Sequence, residues 1–146
     1  MSGSKKNSFE NAILLHVFNN ANIANIGDST GLRGSSAVGS LYVALFSIAP
    51  SDSSQGTEAN FTNYARVATS RVDTVWEVID NVVKNIIAIT FPVAGSDQII
   101  RGFAICKAGV TGVDDALYWG ELTANYQVTS GKAPAFESET LAITED

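Results

Sequence analysis

The chain holds one histidine, His16, and one cysteine, Cys106, so any chemistry that needs such side chains must centre on them. Nucleophilic catalysis of the Ser-His-acid kind requires a base beside its nucleophile. His16 falls on the apolar side of a helical run, where packing or subunit contact is the plainer role, and no G-x-S-x-G elbow occurs. Cys106 ends the apolar run Gly102-Phe103-Ala104-Ile105-Cys106. A free cysteine in such a run is commonly a small buried hydrophobe. Lys107 beside it would point to the opposite face of a strand, so a reactive thiol is not expected. One cysteine forms neither an internal disulfide nor half of a thiolate metal site.

The glycines of Gly31-Leu32-Arg33-Gly34-Ser35-Ser36-Ala37-Val38-Gly39 resemble a phosphate cradle only until Ser40 and Leu41 stand where Lys and Ser or Thr are required, which leaves a flexible loop. Asp114-Asp115 lacks the alternating oxygen ligands and distal Glu of a calcium loop and reads as a turn. Glu77, Asp97 and Glu121 are carboxylates for a glycosidase only if the fold gathers them, and nothing in their spacing favours that. No cofactor or metal is implied. Asn60-Phe61-Thr62 fits a glycosylation sequon, which means little without a secretory signal.

The arginines carry more information. Arg66 in Tyr64-Ala65-Arg66-Val67-Ala68 and Arg101 in Ile99-Ile100-Arg101-Gly102-Phe103 both interrupt runs that otherwise look buried. Each either faces solvent or pairs with a carboxylate such as Glu121, or bonds across a subunit interface, where arginine is enriched. Tyr118-Trp119 divides the same way, with one ring facing the core and the other free for core, surface or contact. The resulting candidate interface set is Phe9, Ile13, His16, Val17, Leu32, Arg33, Arg66, Arg101 and Trp119.

These residues need elements to position them. A 146-residue chain with 45% hydrophobic residues buries a core without staples and is expected to form one domain. Nine Lys+Arg against fifteen Asp+Glu give a net charge of -6, which argues against a nucleic-acid partner. No run is long and apolar enough for a membrane span, and the start reads as no export signal, so synthesis in a host cytoplasm and no membrane partner are expected. Charged residues make up only 16% of the chain, below the roughly 25% typical of soluble domains, and a weakly charged surface suits assembly.

Residues 8–18 predict a short helix with Ser8 as N-cap and Phe9, Ile13, His16 and Val17 on one face. Residues 19–40 read as an irregular connector. Thereafter β-rich runs recur: 41–46, 64–69, 75–79, 82–91, 98–106, 116–122, 126–128 and 141–144. One helix followed by strands without βα alternation predicts an all-β fold, an antiparallel β-sandwich or jelly-roll-like domain over residues 1–146 with one short N-terminal helix.

Read in order, Phe9 to Phe18, Leu41-Tyr42-Val43-Ala44-Leu45-Phe46, Tyr64-Ala65-Arg66-Val67-Ala68, Asn85 to Ile89-Thr90-Phe91-Pro92-Val93-Ala94, Arg101-Gly102-Phe103-Ala104-Ile105, Leu117-Tyr118-Trp119-Gly120-Glu121-Leu122 and Val128-Thr129-Ser130-Gly131 with Pro134 and Phe136 resemble a family of small tailed-bacteriophage virion proteins, labelled tail fibre or capsid decoration (cement) protein. The resemblance covers Phe9 to Thr144 and departs from the family's pattern in the inserted Gly27 to Ser40 stretch, a natural contact element. It implies a non-enzymatic structural protein of the virion. Its partners would be the major capsid protein or tail proteins, and further copies of itself. Capsid decoration is the first expectation and a tail, baseplate or tail-fibre component the second. A carbohydrate- or receptor-binding module, with Trp119, Tyr118 and Tyr126 as stacking surfaces, is a third reading, and a small carboxylate hydrolase the remaining rival.

Overall fold

Helix α1 (Asn7–Asn19) opens the chain, and the structure, a computed structural model, describes residues 1–146. The helix begins one residue earlier than its sequence predicts, with Lys6 rather than Ser8 at the N-cap and no side-chain cap bond. Its buried residues are Glu10, Leu14 and Phe18, at i, i+4 and i+8. The predicted stripe of Phe9, Ile13, His16 and Val17 therefore lies beside the buried face, because Leu14 and Phe18 outweigh it in packing. Asn20 in the left-handed region (φ 56°) ends the helix, and the Ala21 N–H returns to the Leu15 carbonyl at 3.1 Å.

The chain forms two compact units, each assembled from separate segments. Residues 1–40, 70–88 and 137–146 make the first. In it α1 lies against β4 (Trp76–Ile79) and β5 (Val82–Asn85), and β5 is flanked by β4 and β10 (Ala142–Thr144) in an antiparallel sheet. The two-residue turn Asp80-Asn81, both at positive φ, joins β4 to β5 as a hairpin. Phe18 meets Trp76 edge to face, with ring centroids 5.0 Å apart, and Leu14, Val83, Leu141 and Ile143 complete the buried apolar set.

The predicted strand 82–91 breaks after Asn85, and the reason is that side chain. Asn85 is fully buried, its Nδ2 donates to the Ile87 and Glu137 carbonyls at 2.8 Å each, and its Oδ1 accepts the Leu141 N–H at 2.9 Å. A buried amide with these bonds made turns the chain where an apolar residue would have continued the ladder.

Residues 20–39 are irregular, as expected, but they are tied down rather than loose. Ile23 and Leu32 exchange backbone bonds of 2.8 and 2.9 Å, and Asn20 pins Ser35 through both its amide atoms. Asp28 accepts the Thr30 and Gly31 N–H groups, which holds its carboxyl below the usual range, the Thr30 hydroxyl contributing most. Arg71 donates to the Val17 and His16 carbonyls, both at 2.6 Å, placing a cation at the carbonyl end of α1.

Residues 41–69 and 89–136 make the second unit. Its antiparallel sheet runs β2 (Thr57–Glu58), β1 (Ser40–Ile48), β7 (Gln98–Cys106), β8 (Ala116–Val128), with β3 (Val67–Ser70) also pairing β1; β6 (Ile89–Thr90) and β9 (Ala135–Phe136) form a separate ribbon. Both faces of β1 are buried, as its alternate apolar residues require. Ala44, Phe46, Ala104 and Cys106 cluster with Tyr42 on one face of the β1–β7 pair. Tyr64 lies before β3 rather than in a strand, and it belongs to a run of ring contacts from Phe61 through Tyr64, Phe91 and Phe136 to Phe103, with centroids 5.2 to 6.4 Å apart. The fold class is all-β with antiparallel sheets and one short N-terminal helix.

β8 is the departure from expectation in this unit, because two predicted strands form one. Gln98–Ile100 pair with residues 126–128 and Gly102–Ile105 with residues 118–121, so the four residues 122–125 stand against Arg101 alone. This bulge absorbs the turn-like Thr123-Ala124-Asn125 without ending the strand. β8 has no neighbour on its other side and forms an edge of the sheet.

Candidate functional site

The densest group of ionisable residues in the second unit is built around Arg66, whose side chain is fully buried. Its Nε and Nη2 grip the Glu58 carboxylate in a fork at 2.8 and 3.0 Å, and Nη1 reaches Asp115 at 2.7 Å. Nη1 also donates to the Ala108 carbonyl and Nη2 to the Val113 carbonyl. A guanidinium has five N–H donors, and these five contacts use them all. Burial works against the guanidinium charge, but the bonds to Glu58 and Asp115 outweigh it and hold the pKa above the ordinary arginine value. The carboxylates are spent as well, Glu58 accepting the Tyr64 hydroxyl and the Gly112 N–H, and Asp115 the Ala108 N–H. Tyr64 in turn accepts the Leu45 N–H, and its phenol is pushed upward, chiefly by burial.

Cys106 sits beside this group, and its thiol is pushed up to about 12, first by burial and then by Asp115 and Glu58 against the opposing pull of Arg66. A thiol so held is protonated at neutral pH and is no nucleophile. The arrangement is a clamp: through Glu58, Arg66 and Asp115, the loop between β7 and β8 is tied to the segment between β2 and β3.

A second arrangement faces solvent. The loop Pro50–Ser54 and the start of β8 enclose a groove of about 380 Å³, lined by Asp52, Ser53, Asp114, Leu117 and Trp119 among others. Trp119 is 42% exposed, and its indole Nε1 donates to Asp52 Oδ1 at 3.3 Å. Ser51 and Ser54 exchange backbone bonds that close the loop. The turn read at Asp114-Asp115 thus divides its duties, Asp115 joining the clamp and Asp114 lining the groove.

The candidate interface residues scatter across these elements. Phe9 and Leu32 are exposed apolar residues at 40% and 45%, and Arg33 is exposed. Ile13, His16 and Val17 are half-buried, His16 donating from Nδ1 to the Ala21 carbonyl at 2.7 Å. Arg101 is exposed and donates to the Ser47 carbonyl, and neither arginine bonds Glu121. Arg66 leaves the interface set, because all its donors are consumed inside the chain. Trp119 stays on the surface, in the groove. Sequence reasoning passed over Glu58, Asp52, Arg71 and Asn85, which reach their partners only through the fold.

No helix is long and apolar enough to cross a membrane. No curated protein matches the chain. The sequence model of one family, described as podophage GP4 fiber I protein gp80, matches residues 4–144. That span takes in α1, both sheets, the clamp and the groove, in agreement with the virion resemblance of the ordered motifs, and the chain belongs to this family of phage fibre proteins, structural components of the virion.

Proposed function

We propose that the protein is a non-enzymatic component of a phage tail fibre that works by contact with other virion chains and with further copies of itself. The observation that carries this reading is the family match over residues 4–144. The geometry supports it, since the one dense set of buried charges, Glu58, Arg66 and Asp115, is consumed in holding loops. The surface supplies contact residues instead: Phe9, Leu32, Ile48, Val110 and Tyr126 are exposed apolar side chains. A standard protein contact removes roughly 1,600 Å² from water, and repetition of modest contacts along an assembly multiplies them into avidity.

A fibre family favours the tail over the capsid-decoration role that the sequence put first, and decoration is the alternative location. Purified particles separated into heads and tails, with the chain quantified against the major shell protein by mass spectrometry, test both. The chain is expected in the tail fraction at low copy number. A chain confined to heads at a copy number near that of the shell protein would move the role to decoration, and a chain missing from both fractions would overturn the virion reading.

A further inference from the structure

We infer that the groove between Pro50–Ser54 and the start of β8 is a binding site for a neutral saccharide, with Trp119 as its stacking platform. The inference rests on the fibre reading and assigns it a ligand class. The groove's volume of about 380 Å³ lies within the roughly 300–1,000 Å³ range of small-molecule clefts. Its one aromatic ring is partly exposed, and the bond from Nε1 to Asp52 sets the indole at the groove wall in this structure. A sugar ring carries C–H groups on a face and hydroxyls around its rim, and it fits an amphipathic ring flanked by acceptors.

The acceptors are present. Asp52 uses one oxygen on the indole and keeps the other, and the Asp114 carboxylate bonds nothing within the chain. Hydroxyl donors to a carboxylate make the stronger class of hydrogen bond. The hydroxyls of Ser51 and Ser53 add groups that both donate and accept. No Lys, Arg or His lines the groove, and two carboxylates repel a phosphate, a sulfate or an acidic sugar. A quaternary ammonium is recognised by a cage of several rings, whereas a single ring with serines and carboxylates suits a polyol. Leu117, 44% exposed along the same groove, extends the apolar wall.

The chain has two tryptophans, and Trp76 is completely buried in the first unit, so a ligand in the groove is reported by Trp119. Methyl glycosides of neutral hexoses and neutral di- and trisaccharides are titrated into the full chain, following tryptophan fluorescence and ligand-observed NMR. Saturable binding of at least one member is expected. Trp119→Ala should abolish it, Trp119→Phe should retain it in weakened form, and Asp114→Ala should weaken it about tenfold, the loss of a charged hydrogen bond. Circular dichroism on each variant keeps loss of binding apart from loss of fold. The proposal is overturned if no member of the panel binds, if binding survives Trp119→Ala unchanged, or if tetramethylammonium binds in preference. A chain found in tails that binds no saccharide removes this inference alone. Saccharide binding by a chain absent from particles would remove the fibre reading and leave the site standing.

Discussion

Replacing Arg66 by Met keeps much of the side-chain volume and deletes the charge that Glu58 and Asp115 face. Those carboxylates have side chains only 7% and 8% exposed, so neither can recover full hydration in place. Removing one partner of a buried ion pair typically costs about 3–5 kcal/mol, since the cost is the stranded charge rather than the lost attraction. Here the Ala108 and Val113 carbonyls lose their donor too, which sets the expectation toward the upper end. Against a total stability of about 5–15 kcal/mol, this is a large fraction, and at about 2–4 °C per kcal/mol it lowers Tm by about 6–20 °C. Arg66→Lys retains the charge but not the fork, and should cost about 1–3 kcal/mol. Urea titrations of both variants by circular dichroism measure the effect. A midpoint shift worth less than about 1 kcal/mol for Arg66→Met would refute the clamp. So would unchanged stability of the isolated chain with weakened assembly, because that is the outcome a subunit-contact arginine would give.

Three further outcomes follow from the same contacts. The Cys106 thiol ionises near 9.0 when unfolded but only at about 12 in the folded chain, so above pH 9 the unfolded state holds fewer protons. Stability should fall as pH rises from about 9 to 12, and Cys106→Ala should flatten that limb in pH-dependent urea titrations, while a thiol reagent at pH 8 should leave the native protein unlabelled. Asn85→Ala strands the Ile87 and Glu137 carbonyls and the Leu141 N–H, and should cost about 2–5 kcal/mol by thermal melting. Gly31→Ala would bring a Cβ to 1.9 Å from the Ile23 carbonyl at a φ of +63°, and hydrogen exchange should show faster opening at Ile23 and Leu32 with the sheets unaffected.

Legibility in the sequence tracked how each element buries itself. β1 and the Gly102–Cys106 half of β7 read clearly because both their faces are covered, which turns burial into an unbroken apolar run, whereas Ile99 and Arg101 in the first half of β7 are exposed. The helix was legible in extent but not in rotation, since Phe9, Ile13 and Val17 compete with Leu14 and Phe18 for one face and a buried Glu10 contradicts its own polarity. The two-residue strands β2 and β9 have no periodicity to read. β8 looked like two strands because Thr123-Ala124-Asn125 has turn composition, and only pairing with β7 on either side of the bulge keeps it extended. The sequence left Arg66 facing solvent, paired with a carboxylate or bonded across an interface, and only its place in an apolar run was evident. Which carboxylate was not, because Asp115 lies 49 residues away and Glu58 sits in one of the unreadable strands. Tyr118-Trp119 was legible as a pair with one ring toward the core, but neither which ring meets solvent nor Asp52, 67 residues distant, as the partner of Trp119 was legible.

Three polar side chains, two of them passed over in the sequence, share a task, and that task bears on how a fibre component works. Arg71 fastens the end of α1 and reaches Ser35 in the long connector, Asn85 fastens the turns at Ile87, Glu137 and Leu141, and Arg66 fastens the loop between β7 and β8. Each binds backbone groups remote in sequence, so a loop that would otherwise fluctuate is ordered by folding. Fixing a residue costs about 1–2 kcal/mol of conformational entropy. If that cost were met at assembly, each contact would be weakened by the ordering of its own loops. With the loops fixed beforehand, even a small exposed patch such as Phe9, Leu32 or Trp119 contributes most of its burial to binding. A weakly charged chain can therefore build useful contacts without a large interface at any one of them, provided that these buried clamps remain intact.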